Sequence, residues 1–443
     1  MPRIDDKQPV TTGRAPATKP AAKGPEAAQG AAEAGKAVGI VKDTLIKAGE
    51  GDKQAVKAAA AEAPRGFWSR LKEGASGVWE KVKDGAGWVG DHVAKGATWV
   101  AEGVMVGVMG AHSSKFETRD VYDDPSDVNH PTPKEVEAAK QAIAANGAKV
   151  EAALAKLSPE ARKQYEKVAP LTVGRPTATL ALQTMLLDGR LTEGKDLKGQ
   201  GSALDHLATL AAQPLAKDVD RRTVVSEILG ELENPVRINQ HGVGTCGATT
   251  AQILLIRQNP AEYVRLMTGL ASPAGKATMA GGDTITRVED WNDDSDKNYG
   301  GTRTMASRLF QPAVMDYGEP LPGDRYDNSE DRAKWGPIPL FSGLMSLGAI
   351  CDQLTGKDYG TVTLHRFNRE GAWDDMKTAL KDGLGPVPVA VRWNTSGSAG
   401  GHFVQIDKVE NGKVFITNPW GQRETFSEAE FKSHVTTLTM PKG

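Results

Sequence analysis

Cysteine is scarce in this 443-residue sequence, and long apolar runs are missing. Cys246 and Cys351 are too few for a disulfide framework, so we expect both to be thiols and not a disulfide. No stretch approaches about 18 uninterrupted apolar residues, and the first residues lack the apolar core of a secretory signal. The sequence therefore predicts a cytoplasmic protein, or one exported by a route that needs no signal peptide.

An excess of either charge is missing as well. Lys and Arg total 54 and Asp and Glu total 56, which gives a formal net charge of -2. Such a balance provides no overall attraction to nucleic acid or to anionic lipid. We therefore predict that the protein has no nucleic-acid partner.

An acidic run from Asp290 to Asn298 superficially suggests calcium binding. The glycine that an EF-hand loop needs stands one place late, at Gly300, and Met305 occupies the position of the bidentate Glu. We therefore predict a solvated acidic loop, with no metal site and no cofactor in the chain.

Aromatic residues are missing from residues 1–65, where Ala, Gly, Lys, Pro and Glu dominate. This composition offers too little apolar surface to offset the entropy of ordering the chain, so it predicts a disordered tail. In residues 66–110 a small or apolar residue recurs about every 3.6 positions, with four tryptophans on or beside the stripe, which indicates an amphipathic helix. We expect this helix to pack on the rest of the protein or on a partner chain, with a membrane surface as the alternative.

Two further regions precede the C-terminal half. Residues 111–131 are polar and are predicted to be a linker, and residues 132–232 are predicted to be mostly helical. In the helical region Ser158 and Pro159 have the pattern of an N-cap followed by proline in the first helical position.

Two separated motifs then carry residues suited to nucleophilic catalysis. A thiol attacks a carbonyl as the thiolate, so it needs an imidazole to take its proton, a group that holds the imidazole, and donors for the developing oxyanion. Cys246, His402, Asn418 and Gln240 could fill these four roles. They stand in Asn239-Gln240, Gly244-Thr245-Cys246-Gly247, His402 and Asn418-Pro419-Trp420-Gly421.

In order and in motif, these residues resemble the papain-like cysteine peptidases, a superfamily that includes the calpains. The first motif resembles the papain nucleophile loop, and the second is similar to the Asn-x-Trp-Gly of papains and the Asn-Pro-Trp-Gly of calpains. Gly247 departs from the family, which commonly has Trp after the nucleophile. The resemblance covers residues 235 to 425 and implies an α+β fold: a two-lobed papain-like domain at 233–443, with Cys246 on a helical lobe and His402 and Asn418 on a β-rich lobe.

The resemblance also implies a mechanism and a substrate class. His402 would deprotonate Cys246, Asn418 would orient the imidazole, and Gln240 with the backbone N–H of Cys246 would stabilise the oxyanion. The implied reaction is hydrolysis of peptide or isopeptide bonds in a protein or peptide substrate. An acyltransferase or glutamine deamidase on the same fold, and a papain-like binding module without catalysis, are the alternatives.

The resemblance leaves two interpretations of residues 132–232. Papain-like enzymes often carry a helical inhibitory prosegment in this place, and the alternative is an accessory subdomain that is never removed. A disordered head without a signal peptide would suit a bacterial effector delivered by a specialised secretion system.

The local pattern around each motif predicts how it is presented. A buried helix should begin at or next to Cys246 and end at Gln258, so that the helix dipole favours a thiolate, helped by an adjacent imidazolium. A second helix should follow from Asn259-Pro260 to about Leu270.

The base-bearing half predicts strands over 386–393, 402–409 and 414–417, with a hairpin about Asn411-Gly412. A plain two-residue turn would pair Val409 with Val414 and leave Asn418 facing away from His402, because side chains alternate along a strand. A β-bulge or a longer turn would bring the two residues to one face, and we expect one of these.

Overall fold

The computed structural model describes residues 115–293, 302–318, 325–328, 332–335, 338–340, 347–394 and 399–442. The predicted tail at 1–65 and the predicted tryptophan-rich helix at 66–110 lie outside the described residues. The described part is a mixed α+β structure.

Helices dominate the first half of the described chain, and strands dominate the second. In chain order the elements are β1 (Asp120–Asp123), α1 (Pro133–Lys156), α2 (Pro159–Thr172), α3 (Pro176–Leu187), α4 (Ala203–Ala212), α5 (Arg221–Glu233), a 3₁₀ turn (Pro235–Arg237), α6 (Cys246–Gln258), α7 (Pro260–Ala271), β2 (Lys276–Thr278), β3 (Thr284–Thr286), α8 (Met305–Gly318), β4 (Arg325–Asp327), β5 (Arg332–Trp335), β6 (Ile338–Leu340), α9 (Leu347–Thr355), β7 (Tyr359–Thr363), α10 (Arg369–Lys381), β8 (Val387–Asn394), β9 (Ala399–Glu410), β10 (Lys413–Asn418), β11 (Gln422–Ser427), α11 (Glu428–His434) and β12 (Val435–Pro441).

Seven strands form one antiparallel sheet in the order β1-β11-β10-β9-β8-β12-β7. Apolar side chains alternate along its central strands, as a sheet buried on one face requires. Val404 and Ile406 of β9 belong to a core that includes Trp373 of α10 and Phe431 of α11. The side chain of Phe403 points to the opposite face of the strand and packs on the core formed by the helices. The sheet therefore separates two hydrophobic cores.

The helices predicted between residues 132 and 232 are present, and all of them except α3 begin at a side-chain cap. Thr132 and Glu135 form a capping box at the start of α1, and the Ser158 hydroxyl accepts from the backbone N–H of Ala161 ahead of α2. The core of these helices continues without a break into α6, α7 and α8. The sequence boundary drawn at residue 232 therefore does not divide two cores.

The segment predicted as a linker takes part in the fold. Phe116 is buried, with its ring 4.7 Å from that of Phe426 and 5.0 Å from that of Trp393. β1 pairs with β11 as an edge strand of the sheet. An edge strand keeps one side toward solvent, so its polar composition resembled that of a linker.

A buried pair of acids joins α5 to the helices around it. Glu231 accepts hydrogen bonds from Tyr263 (2.5 Å), Thr304 (2.5 Å), Ser307 (3.0 Å) and Gln252 (3.1 Å). Glu227, one turn earlier, accepts from a backbone N–H at 3.2 Å. Burial, followed by the nearby Glu231, raises the pKa of Glu227 to about 8. Glu227 is therefore protonated in the folded protein at neutral pH.

Replacing Glu227 should change how stability depends on pH. In the unfolded chain a Glu titrates near its ordinary value, so the raised folded pKa stabilises the fold fully at low pH and less as pH rises toward about 8. Glu227→Gln keeps the neutral form at every pH. We expect the melting temperature of this variant to fall less than that of the wild type between about pH 5 and about pH 8. Glu233→Gln, the same change at a less buried position of α5, should follow the wild type, and identical pH slopes for all three proteins would contradict the prediction.

Candidate active site

The first motif places Cys246 at the start of α6, as its sequence predicted. Cys246 is partly exposed, and no disulfide joins it to Cys351. Thr245 occupies the N-cap position, yet its hydroxyl does not cap the helix and donates instead to Gln311 at 2.9 Å. The N–H groups that begin a helix favour negative charge, so this end of α6 suits a thiolate.

The two motifs are joined through their backbones. The N–H of Gln240 donates to the carbonyl of Pro419 at 2.8 Å, and Asn239 forms an isolated β-bridge with Trp420. Gly421 follows with φ of 79°, and a Cβ there would lie 3.3 Å from the Asn239 amide nitrogen. A positive φ and this close approach both favour glycine. The Trp420-Gly421 pair of the second motif therefore contacts and positions the loop that leads to Cys246.

A β-bulge brings His402 and Asn418 to the same face of the sheet. The turn at Asn411 and Gly412 has both residues at positive φ, and Val414 pairs with Val409 as expected. The register then shifts by one residue, because Phe415 pairs with Lys408 but Ile416 pairs with Ile406. Asp407 is the extra residue. Of the two alternatives that the sequence left open, a bulge or a longer turn, the structure has the bulge.

The imidazole of His402 is held by the side chain of Asn418. His402 Nε2 lies 2.9 Å from Asn418 Oδ1, which also accepts from the backbone N–H of Trp420 at 3.2 Å. Both side chains are buried. Since an amide oxygen only accepts, Nε2 must carry the hydrogen, and Nδ1 is left as the ring nitrogen with a lone pair. That tautomer is the one a general base at Nδ1 needs.

Aromatic rings enclose the imidazole. Trp420 stacks on His402 with ring centroids 4.3 Å apart, and Trp393 meets the ring edge-on at 5.0 Å. Burial lowers the pKa of His402 to about 4; the hydrogen bond to Asn418 opposes this shift, and the charge of Arg119 adds to it. The sequence predicted an imidazolium beside the thiol, whereas this burial favours the neutral imidazole.

Contacts between α6 and β9 locate the thiol along the strand. The Thr250 hydroxyl donates to the Phe403 carbonyl at 3.3 Å, and Arg257 further along α6 donates to Asp407 at 2.5 Å. Helix and strand therefore run in the same direction. Cys246 lies one turn, about 6 Å, before Thr250, a distance that corresponds to about two strand residues. This puts Cys246 level with the segment just before Phe403, which contains His402.

To accept a proton from Cys246, the imidazole of His402 would have to reach the thiol around the end of β9. The side chain of His402 lies on the same face of β9 as that of Val404, toward the core that contains Trp373 and Phe431. Helix α6 packs against the opposite face. Gly401 precedes His402, and an added Cβ there would meet no atom of the described residues within 4 Å.

Gln240 is buried in the loop that precedes Cys246, and one N–H of its side-chain amide is already hydrogen-bonded. Its Nε2 donates to the carbonyl of Val243 at 2.6 Å, which leaves one N–H of the amide for another acceptor. Its Oε1 has no hydrogen-bond partner within the described residues. The hydrogen bond fixes the amide within the loop of the first motif, close in sequence to Cys246.

Sequence reasoning missed the groups that lie behind these residues. Glu424 accepts from Asn418, Arg119 pairs with Glu424, and Asp127 accepts from Asn239 at 3.0 Å. Glu424 stands six residues after Asn418, but Arg119 and Asp127 come from the segment predicted as a linker. Only the pairing of β1 with β11 brings that segment to the site.

Comparison with known proteins adds no family to this geometry. No family model matches the chain, and no curated protein matches it. Within the described ranges, no group of three or more His, Cys, Asp and Glu side chains could hold a metal ion, and none of the helices combines the length and apolarity needed to span a membrane.

Removing the stacked ring should change the titration of His402. Trp420→Ala would admit water to the imidazole, so we expect the pKa of His402 to rise from about 4 toward its ordinary value. A pH titration of the histidine ring signals by NMR measures this shift. Phe367→Ala removes an exposed aromatic ring that contacts His365 and should leave His402 unchanged. An unaltered His402 pKa in a folded Trp420→Ala protein would show that the ring does not enforce its burial.

Proposed function

We propose that this protein is a papain-like cysteine peptidase that hydrolyses peptide or isopeptide bonds through an acyl-enzyme on Cys246. The observation that carries the proposal is the buried hydrogen bond from His402 to Asn418, 2.9 Å long, made on a strand that runs alongside the helix of Cys246. The two hydrophobic cores on opposite faces of the sheet support a two-lobed domain, one lobe helical and one β-rich.

The proposed reaction begins with proton transfer from the thiol. Nδ1 of neutral His402 accepts the proton of Cys246 as the sulfur attacks the substrate carbonyl, and Asn418 keeps the ring in place through Nε2. The imidazolium then returns the proton to the leaving amine. Water attacks the acyl-enzyme with His402 again as base, which releases the acid product and restores the thiol.

Stabilisation of the oxyanion is assigned to the start of α6 and to Gln240. The backbone N–H of Cys246 and the remaining amide N–H of Gln240 are the proposed donors. The helix dipole adds to both the thiolate and the oxyanion because both form at the positive end of α6.

The helical region is best explained as a permanent part of this enzyme. Buried residues of α5, among them Ile228 and Leu229, share one core with Leu254 of α6 and Phe310 of α8. Removal of residues 132–232 would expose that apolar surface, at a cost of about 25 cal/mol for each Å². A removable prosegment would need a surface that can be uncovered without such a cost.

Alkylation of the thiols tests the proposed nucleophile. In the folded protein at neutral pH, iodoacetamide should label Cys246 stoichiometrically and spare Cys351, which is fully buried and whose pKa is raised by burial. Peptide mass mapping reads out both sites. Cys246→Ala should abolish hydrolysis of a peptide-library substrate, whereas Cys351→Ala should retain it. Hydrolysis that survives in folded Cys246→Ala would end the proposal, and acyl transfer or deamidation without hydrolysis would assign the same site to a different reaction.

Kinetics of a Gln240 variant test the oxyanion assignment. Gln240→Ala should lower kcat by about 10²- to 10³-fold, the usual cost of one oxyanion donor, with little change in KM. The reason is that the negative charge on the carbonyl oxygen exists only in the transition state. Gln258→Ala, which removes an amide that contacts Tyr359 at the far end of α6, provides the matched control. A raised KM with unchanged kcat would make Gln240 a substrate-binding residue.

A further inference from the structure

Glu424 lies behind Asn418 on β11 with its carboxylate completely buried. Its Oε1 accepts from Asn418 Nδ2 at 2.8 Å. Arg119 donates to both carboxylate oxygens, with Nε 2.8 Å from Oε2 and the terminal nitrogen 3.0 Å from Oε1. A hydrogen-bonded chain therefore runs from Arg119 through Glu424 and Asn418 to His402.

Each bond in this chain has one possible direction. A guanidinium only donates and a carboxylate only accepts, so the only amide atom that Asn418 can present to Glu424 is its nitrogen. The amide oxygen then faces His402, and the imidazole has to donate from Nε2. The buried carboxylate on the nitrogen side of the amide, together with the Trp420 backbone N–H on its oxygen side, thus selects the tautomer of the ring.

We propose that Glu424 is a positioning residue that sets the rotation of the Asn418 amide and through it the tautomer of His402, and that Arg119 holds Glu424 in this role. The consequence for catalysis rests on the proposed peptidase function. The tautomer itself is a property of the resting protein and exists whether or not a substrate is known.

Arg119 reaches this position as part of the segment 116–127, here called the strap. At one end of the strap the N–H groups of Glu117 and Thr118 donate to Glu430, and at the other end Asp127 accepts from Asn239. The strap therefore touches the first motif directly and reaches the second through Glu424, and the chain of hydrogen bonds is complete only when it is docked.

A purely structural role is the competing explanation for the ion pair. A buried carboxylate must be paired to offset its desolvation, so Arg119 and Glu424 would be present even if they only fastened the strap to the sheet. Glu430 separates the two explanations. It fastens the same strap with a carboxylate, but it makes no contact with Asn418 among the described residues.

The test is the tautomer of His402 in Glu424→Gln, read from ¹⁵N–¹H correlation spectra of the histidine rings at neutral pH. A carboxamide at position 424 can donate, which allows the Asn418 amide to turn over and present its nitrogen to the ring. The wild type should show the Nε2–H tautomer, and Glu424→Gln should convert a measurable fraction to Nδ1–H. Glu430→Gln should remain like the wild type. The signals of His402 are assigned by their loss in His402→Gln.

Kinetics supply a second readout on the same variants. Molecules with the wrong tautomer cannot accept the thiol proton at Nδ1, so kcat of Glu424→Gln should fall in proportion to the Nδ1–H fraction seen by NMR with KM little changed, while Glu430→Gln keeps both.

Three outcomes would overturn the inference: an Nδ1–H tautomer in the wild type, an unchanged Nε2–H tautomer in folded Glu424→Gln, or the same tautomer change in Glu430→Gln. The wild-type spectrum decides even if Glu424→Gln does not fold. A protein that hydrolyses no peptide but shows the expected tautomers would refute the proposed function and leave the positioning role intact.

Discussion

The extra residue at Asp407 is the constraint on which the site depends. Without it Asn418 would face away from His402, and no side-chain rotation could restore the pair because strand parity would be wrong. The bulge is held in place by its own hydrogen bonds: Asp407 accepts from Arg257 of α6 at 2.5 Å and from Thr417 of β10 at 2.7 Å. Helix α6, which begins with Cys246, therefore contacts the bulge residue Asp407 through Arg257 near its C-terminal end.

A buried polar network holds the other end of α6. It leads from Glu231 through Gln252 and Gln311 to the hydroxyl of Thr245, the residue before Cys246. Buried polar groups stabilise one arrangement when all members are satisfied and are costly when one is lost. Because the Thr245 hydroxyl donates to Gln311 within this network, it does not cap the helix that begins at Cys246.

The site lies where the two hydrophobic cores and the strap meet. The core of the helices supports α6, the core beneath the sheet supports His402, and the strap bonds to residues on both sides. The burial that lowers the pKa of His402 belongs to the same packing, in which the rings of Trp393 and Trp420 contact the imidazole. Stability and the protonation state of His402 are thus linked through shared aromatic contacts.

Local signals in the sequence determined the helix starts and the hairpin turn, because caps, proline positions and Asn-Gly depend only on neighbours in the chain. The candidate residues followed from the order of two separated motifs. The sequence also showed that the parity of Asn418 required a correction, but the position of the bulge at Asp407 depends on Arg257, which lies 150 residues away. Glu424 reaches Asn418 through the hairpin of β10 and β11, but Arg119 and the edge strand β1 became part of the site only through pairing across 305 residues. Their polarity looks like that of any exposed segment, and tertiary structure alone decided that these charges would be buried, paired and aimed at Asn418.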